Sequence, residues 1–257
     1  MRHGRLTYTA TEFSGTAGPW GLVSAVMSTA YPAGQYALRD FTNTDRIVFR
    51  HLADRGLVPP VRTLDVGCGA GRSTRFLCEL GCEVVGVDHN EEMMVEARNR
   101  HSAGDYRVTS TAGPLPFRDG EFELLISSWM ILEMAEETDI VSLLTECRRV
   151  LAPAGRALVV TNTPDFYAGD WLSCKVDHPE NASPLRSQQR VKATLLPEGV
   201  VVSDTFWSDE DYRRFFSDAG FVARSTHRPL GLPEDGLPWR DELTTPPYVI
   251  YELAVQP

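Results

Sequence analysis

Asp65, Gly67, Gly69, Gly71 and Asp88 are the residues whose types and spacing could do chemistry. They begin in the stretch LDVGCGAGRS, Leu64–Ser73, where three glycines at alternate positions follow an acid. Glycine lets a turn take positive φ and lets a ligand approach the backbone closely. Asp88 ends the next apolar run, where an acid can accept hydrogen bonds from both hydroxyls of a ribose. A dinucleotide fingerprint needs G-x-G-x-x-G. Here the order is G-x-G-x-G, and Arg72 stands where the third glycine of that fingerprint belongs. Asp65, two residues before the first glycine, suits a ligand with an ammonium group better than one with a pyrophosphate. The pattern therefore disfavours a nicotinamide cofactor.

Such residues need strands that end beside them. The run VRTLDV predicts a strand, followed after the glycines by a helix, GRSTRFLCEL, that stops at Gly81. EVVGVD predicts the next strand. Asn90 then caps a helix whose first turn carries Glu91 and Glu92, acids that suit the positive helix end. A short strand near YRVTS, the loop TAGPLPFRDGE, the strand FELLIS, the helix EETDIVSLLTECRRVL and the strand RALVVTNT follow, with APAG as a break. Upstream, a helix starts near Asn43, with Ile47, Val48 and Leu52 on one face. Apolar strands alternating with helices predict a parallel sheet covered on both faces.

After Thr163 the pattern changes. VKATLLP and VVVSDTFW, separated by EG, read as an antiparallel hairpin inserted into the α/β alternation. Ser208 caps a returning helix that Gly220 ends. The strand FVARSTH and the final run YVIYELAV have no helix between them, so they pair antiparallel. RDEL, Arg240–Leu243, reads as a solvated, salt-bridged turn. The organisation is a single domain over residues 1–257. It has an N-terminal lid segment (1–42), a cofactor-binding core (43–163), a substrate-side β insertion (164–208) and a C-terminal part of the core (209–257).

The whole chain sets bounds. It has 257 residues, a net charge of −10 and 42% hydrophobic residues, which is a globular composition. An acidic chain without a Lys/Arg cluster is a poor partner for nucleic acid or an anionic membrane. No apolar run is long enough to span a bilayer. Its five cysteines show no C-x-x-C pair, and they read as reduced thiols of a cytoplasmic protein. No metal-ligand spacing is present. A homodimer is left open.

The stretch LDVGCGAGRST resembles the first motif of the class I S-adenosylmethionine-dependent methyltransferases, in particular their small-molecule "type 11" group. VVGVDHNEEMM is similar to their second-strand motif, and PLPFRDGEFELLISSWMIL to the segment around their fourth strand. ECRRVLAPAGRALVV resembles their next helix, turn and strand. The resemblance is tight over residues 62–163, and FWSDEDYRRFFSDAGF and PPYVIYEL extend it toward the C-terminus. It implies a doubly wound, Rossmann-like α/β fold with a seven-stranded sheet and an antiparallel last strand. A helical N-terminal lid and a small antiparallel β insertion complete the expected fold. It implies S-adenosylmethionine as cofactor. Asp65, Gly67, Cys68 and Gly69 would surround its methionine end, Asp88 its ribose, His89 and Met93 its adenine, and Ser128 the methionine portion. Many members place an Asp four residues before LPF. Here Thr111 and then Ala112 stand there, and a hydroxyl or backbone carbonyl would accept from the adenine amino group.

The expected reaction is methyl transfer to an oxygen, nitrogen or carbon of a small, specialised metabolite. The cofactor carries the hard chemistry, so the site must align the acceptor and exclude water. At most one general base is needed, and the candidates are Glu133, His178 and His227. Tyr31, Tyr36, Trp129, Trp171, Trp207 and Trp239 would supply a mostly apolar acceptor pocket. The place after the fourth strand reads SSWM rather than an Asn/Asp-Pro-Pro-Tyr-type motif, which disfavours a macromolecular target. The alternative is an enzyme that uses the same cofactor for a cyclisation or elimination without methyl transfer.

Overall fold

The computed structural model describes residues 33–110 and 113–256. Tyr31, Thr111, Ala112 and most of the 1–42 lid segment lie outside the described residues. The elements are α1 (Ala33–Tyr36), α2 (Arg46–Asp54), β1 (Arg62–Val66), α3 (Arg72–Glu79), β2 (Glu83–Asp88), α4 (Glu91–Arg100), β3 (Asp105–Val108) and β4 (Phe122–Ser128). There follow α5 (Glu137–Val150), β5 (Leu151–Asn162), β6 (Cys174–Lys175), β7 (Gln189–Leu195), β8 (Val200–Phe206), α6 (Asp209–Asp218), β9 (Phe221–His227) and β10 (Tyr248–Val255). Short 3-10 turns at Ile131–Glu133 and Pro164–Ala168 follow β4 and β5.

Seven strands form one sheet in the order β3-β2-β1-β4-β5-β10-β9. The pairings from β3 to β5 are parallel, and β10 is antiparallel to both of its neighbours. The central strands are near-continuously apolar because both faces are covered. Leu64, Val66, Leu125 and Val159 pack toward α5 and α6. Leu124, Ile126, Leu158 and Val160 pack on the other face, toward α2, α3 and the 164–208 insertion. Each such fully buried side chain contributes roughly 1.5–3 kcal/mol.

The order of strands reverses between β1 and β4, so a crevice opens outside their carboxyl ends. The glycine loop leaves β1 there, and Ser128 and Trp129 leave β4 there. The next helices start cleanly. Asn90 Oδ1 accepts from the Glu92 and Met93 amides, and Ser208 and Asp211 form a reciprocal capping box that opens α6.

Two boundaries differ from the sequence expectation. The helix expected from Asn43 begins at Arg46, because the Asn43 side chain accepts from the Asp45 amide and holds a turn there. The helix before APAG ends at Val150 as expected, but APAG is not a break between elements. It is absorbed into β5 as an irregularity, between the Phe122–Leu151 and Leu124–Arg156 pairings. The insertion is a three-stranded antiparallel sheet, β6-β7-β8, whose two-residue strand β6 no alternating pattern announces. Among the described residues, no helix is long and apolar enough to cross a membrane.

Two of the sequence motifs explain each other. The Leu115 amide donates to Glu146 on α5, while Arg149 donates to the carbonyls of Leu115 and Phe117. The LPF loop is thus clamped by the ECRR helix. Arg149→Ala removes charged donors to two backbone carbonyls and is expected to cost about 2 kcal/mol. Urea unfolding checks this, and an unchanged midpoint would show that the clamp carries no stability.

Candidate active site

All three loop glycines have positive φ: +73° at Gly67, +52° at Gly69 and +77° at Gly71. A Cβ on Gly67 would lie 2.3 Å from Met130 Cγ, and one on Gly71 would lie 2.6 Å from the Tyr106 hydroxyl. Gly69 is different. Its nearest neighbour would be the Tyr36 ring at 3.6 Å, an ordinary contact, so a Cβ here would meet no clash. The Gly67 and Cys68 amides donate to the Val87 carbonyl, and the Gly69 amide donates to Asp88 Oδ2 at 2.9 Å. Asp88 Oδ1 accepts from the Asn90 amide. Two backbone amides thus fix the Asp88 carboxylate between the loop and α4, with lone pairs left over.

A cleft opens over this loop. Tyr36, Gly67, Gly69, Asp88, His89, Met93, Ser128 and Glu133 are among its lining residues. Tyr36 reaches it because α1 docks through Ala33 and Ala37 onto Ala70 and Met93. Beside it lies a second cavity beneath the small sheet. Its walls include Trp129, Phe166, Tyr248, Leu195 and Val202, together with Arg39, Asp45, Arg72, Asn162 and Asp204. Tyr36, Trp129 and Glu133 line both spaces.

Trp129 is held in a left-handed conformation, φ +56°. That costs a bulky residue on the order of 1–3 kcal/mol. Its ring packs edge-on against Tyr248 at 5.0 Å, and the Arg72 guanidinium sits 5.8 Å from its centre. Arg72 also donates to Asp45 Oδ2 at 2.7 Å, and the Tyr248 hydroxyl donates to Asp45 Oδ1 at 2.7 Å. Burial pushes the Asp45 carboxyl up, but Arg72, Arg39 and Tyr248 win and hold it at about 2. The other buried acid of this cavity goes the opposite way. Burial raises Asp204 to about 7 against a pull from Arg190 alone.

Several expected site residues lie elsewhere. Asp65 sits behind the loop at 0% exposure, where Oδ2 accepts from the Ser73 and Thr74 hydroxyls and pins the first turn of α3. Cys68 packs inward with Met94, Ala97 and Tyr106 rather than facing the cleft. Trp171 is a core residue with its indole N–H on the Phe166 carbonyl, and Trp207 is another, donating to the Met134 carbonyl. Trp239 donates to Leu232 and Asp235 in the 229–247 connection. These three indoles satisfy their N–H groups within the fold and line neither cavity.

His178 pairs with Thr194 in a separate surface groove, and His227 pairs with His51 and Ser225 at the sheet edge. Of the three expected bases, Glu133 alone stands on a wall of the cavities. Sequence reasoning pointed to Tyr248 as a pocket aromatic but missed Arg39, Asp45, Asn162 and Asp204. Of these, Asp204 left a readable signal: it interrupts the apolar face of β8, Val200, Val202, Asp204, Phe206.

The fold and the cleft define a doubly wound α/β protein with a nucleotide-type cofactor site at the switch point. A family model described as a methyltransferase domain matches residues 63–155. Over 181 residues the chain is 30% identical to the N-demethylindolmycin N-methyltransferase of Streptomyces griseus, covering 68% of this chain and 76% of that one. Several other curated relatives match over about half of their length. The solved S-adenosylmethionine-dependent methyltransferase of Mesorhizobium loti superposes with a TM-score of 0.57 at 20% identity, over 82% of this chain and 97% of that chain. The 1,6-didemethyltoxoflavin-N1-methyltransferase of Burkholderia thailandensis, solved with 1,6-didemethyltoxoflavin and S-adenosylhomocysteine, superposes at 0.52 with 16% identity, over 83% and 79% of the two chains.

The chain belongs to the class I S-adenosylmethionine-dependent methyltransferases of the small-molecule type, and S-adenosylmethionine is its cofactor. The cleft fits that group. Among the described residues, Ser128 Oγ is buried there without a hydrogen-bond partner, and Gly69 brings side-chain-free backbone to the cleft wall.

Asp65 gives a pH prediction. Burial outweighs its two hydroxyl bonds and raises it from 3.8 to about 6. A carboxyl raised on folding favours the folded state only while protonated. Its contribution therefore falls as pH rises from about 4 to about 6, and it is flat above. Relative to wild type, Asp65→Asn is expected to gain about 3 kcal/mol across that window. Urea midpoints measured at both ends check this. A difference that does not change with pH would show that Asp65 does not titrate there.

Proposed function

We propose that this chain transfers the methyl group of S-adenosylmethionine to a nitrogen, oxygen or carbon of a small specialised metabolite, by positioning and desolvation. The observation that carries this reading is the shared wall: Tyr36, Trp129 and Glu133 border both the glycine-loop cleft and the neighbouring cavity. A cofactor in the first and an acceptor in the second would meet between them. Residues 43–163 act as the cofactor half and residues 164–208 as the roof over the acceptor. A net charge of −10 supports a small acceptor over nucleic acid. Two relatives are named for small metabolites, N-demethylindolmycin and 1,6-didemethyltoxoflavin.

When bound, S-adenosylmethionine supplies a methyl group already activated on a sulfonium. The residues of the chain do the rest. Asp88, held by the Gly69 and Asn90 amides, offers its remaining lone pairs to the ribose hydroxyls. His89 and Met93 flank the adenine. Ser128 and the Gly69 backbone accommodate the methionine portion. Trp129 and Tyr36 wall the passage, so the reacting atoms meet out of water and in line.

Calorimetry is expected to show S-adenosylhomocysteine binding and no NADH binding, and the reverse result ends this reading. Asp88→Ala should weaken S-adenosylhomocysteine binding by about 1.5–3 kcal/mol, the loss expected for hydrogen bonds to a charged group. An unchanged affinity would remove the ribose role.

A further inference from the structure

Asp204 is an acid on an apolar surface. The inward positions of β8 are Val200, Val202, Asp204 and Phe206, and those of β7 are Val191, Ala193 and Leu195. Val191 lies directly opposite Asp204. Asp204 is 3% exposed, lines the acceptor cavity, and its Oδ1 has no hydrogen-bond partner among the described residues. A buried carboxylate oxygen without a partner costs stability.

The surrounding groups are already engaged. On β7, Arg190 donates to Thr205 and Ser203. From the Pro164–Ala168 turn, the Tyr167 hydroxyl accepts from Asn162. From α6, the Tyr212 hydroxyl pairs with Thr161. The one other fully buried acid of the cavity, Asp45, is committed to Arg72, Arg39 and Tyr248. Glu133 stands on the wall shared with the cofactor cleft. Asp204 lines the same cavity as Trp129 and Glu133, the residues that also border the glycine-loop cleft.

We propose that Asp204 recognises a basic amine acceptor as its counter-ion and takes the proton that the amine nitrogen must lose. This rests on the reading of the cavity as the acceptor site. The same cavity presents the aromatic rings of Trp129, Phe166 and Tyr248, and ring faces attract cations. One carboxylate among aromatic and aliphatic walls is the chemistry that holds an ammonium group. An amine reaches neutral pH with its lone pair masked by a proton. That proton moves to an Asp204 oxygen, which leaves a neutral carboxyl and a free lone pair. The lone pair forms the N–CH3 bond, the S–CH3 bond breaks, and its electron pair stays on sulfur. Burial pushes Asp204 up to about 7, so it is able both to meet a cation and to hold the proton afterwards.

The test uses the full chain saturated with S-adenosylhomocysteine, with benzylamine and benzyl alcohol as probes in calorimetry. Wild type is expected to bind benzylamine more tightly than benzyl alcohol. Asp204→Asn is expected to weaken benzylamine roughly 10-fold or more and to leave benzyl alcohol and S-adenosylhomocysteine unchanged. Equal binding of the two probes, no benzylamine binding to wild type, or an Asn variant that binds benzylamine like wild type each overturns the proposal. Infrared difference spectra give a second readout. A protonated-carboxyl band that titrates near neutral pH in wild type should vanish in Asp204→Asn, and its absence from wild type overturns the proton-acceptor role. Failure of wild type to bind S-adenosylhomocysteine would instead count against the methyltransferase site itself.

Discussion

The arrangement of both cavities depends on one buried carboxylate, Asp45. Arg72 comes to it from the first turn after the glycine loop, Tyr248 from the start of β10, and Arg39 from the segment behind α1. Arg39 in turn reaches Glu198 in the β7–β8 turn. Segments far apart in sequence, from residue 39 to residue 248, are thus fixed by a single acid. Taking these charges out of water is costly, and removing one partner of such a set typically costs 3–5 kcal/mol. The set also builds the cavity beneath the small sheet, because Arg39, Asp45, Arg72 and Tyr248 are its wall.

Arg72 shows how the loop and the acceptor side are coupled. In a dinucleotide fingerprint its position would be glycine, chosen for close packing. Here the side chain points away from the cleft, between the Phe49 and Trp129 rings and onto Asp45. Together with the edge contact from Tyr248, it braces Trp129 in a backbone conformation that a bulky residue rarely adopts. The departure from the dinucleotide pattern has a structural consequence: the residue that breaks the pattern holds the indole bordering both spaces.

The sheet was legible in the sequence because its signals are local: apolar runs, glycine stops, and the Asn90 and Ser208 caps. That Gly67, Gly69 and Asp88 line one cleft was legible for the same reason, since they lie within two strand ends. The acceptor side was not. An aromatic residue looks the same in sequence whether it lines a cavity or fills the core, and Trp171 and Trp207 fill the core. RDEL reads as a solvated turn, yet Glu242 is 0% exposed and accepts from Thr44 and from the Leu172 and Arg240 amides. Such long-range hydrogen bonds leave no periodic trace. Asp65 shows the same limit at short range, because its partners Ser73 and Thr74 become neighbours only once β1 and α3 are packed.

The two acids Asp45 and Asp204 share one cavity and little else. Asp45 receives two guanidinium groups and a phenol, so it stays ionised and its role is to fix geometry. Asp204 lies on a hydrophobic strand face with one distant cation, so its charge is weakly supported and its protonation state can change. Pairs of groups driven apart in this way are how one site separates support from proton transfer. An acid that only held the β7–β8 sheet would be expected to have a partner in it. Instead Asp204 Oδ1 is unpartnered while its neighbours Asn162, Tyr167 and Tyr212 pair among themselves or with Thr161. Among the described residues of this wall, Asp204 Oδ1 and the Trp129 indole N–H are the groups whose hydrogen-bonding capacity the fold has left unused.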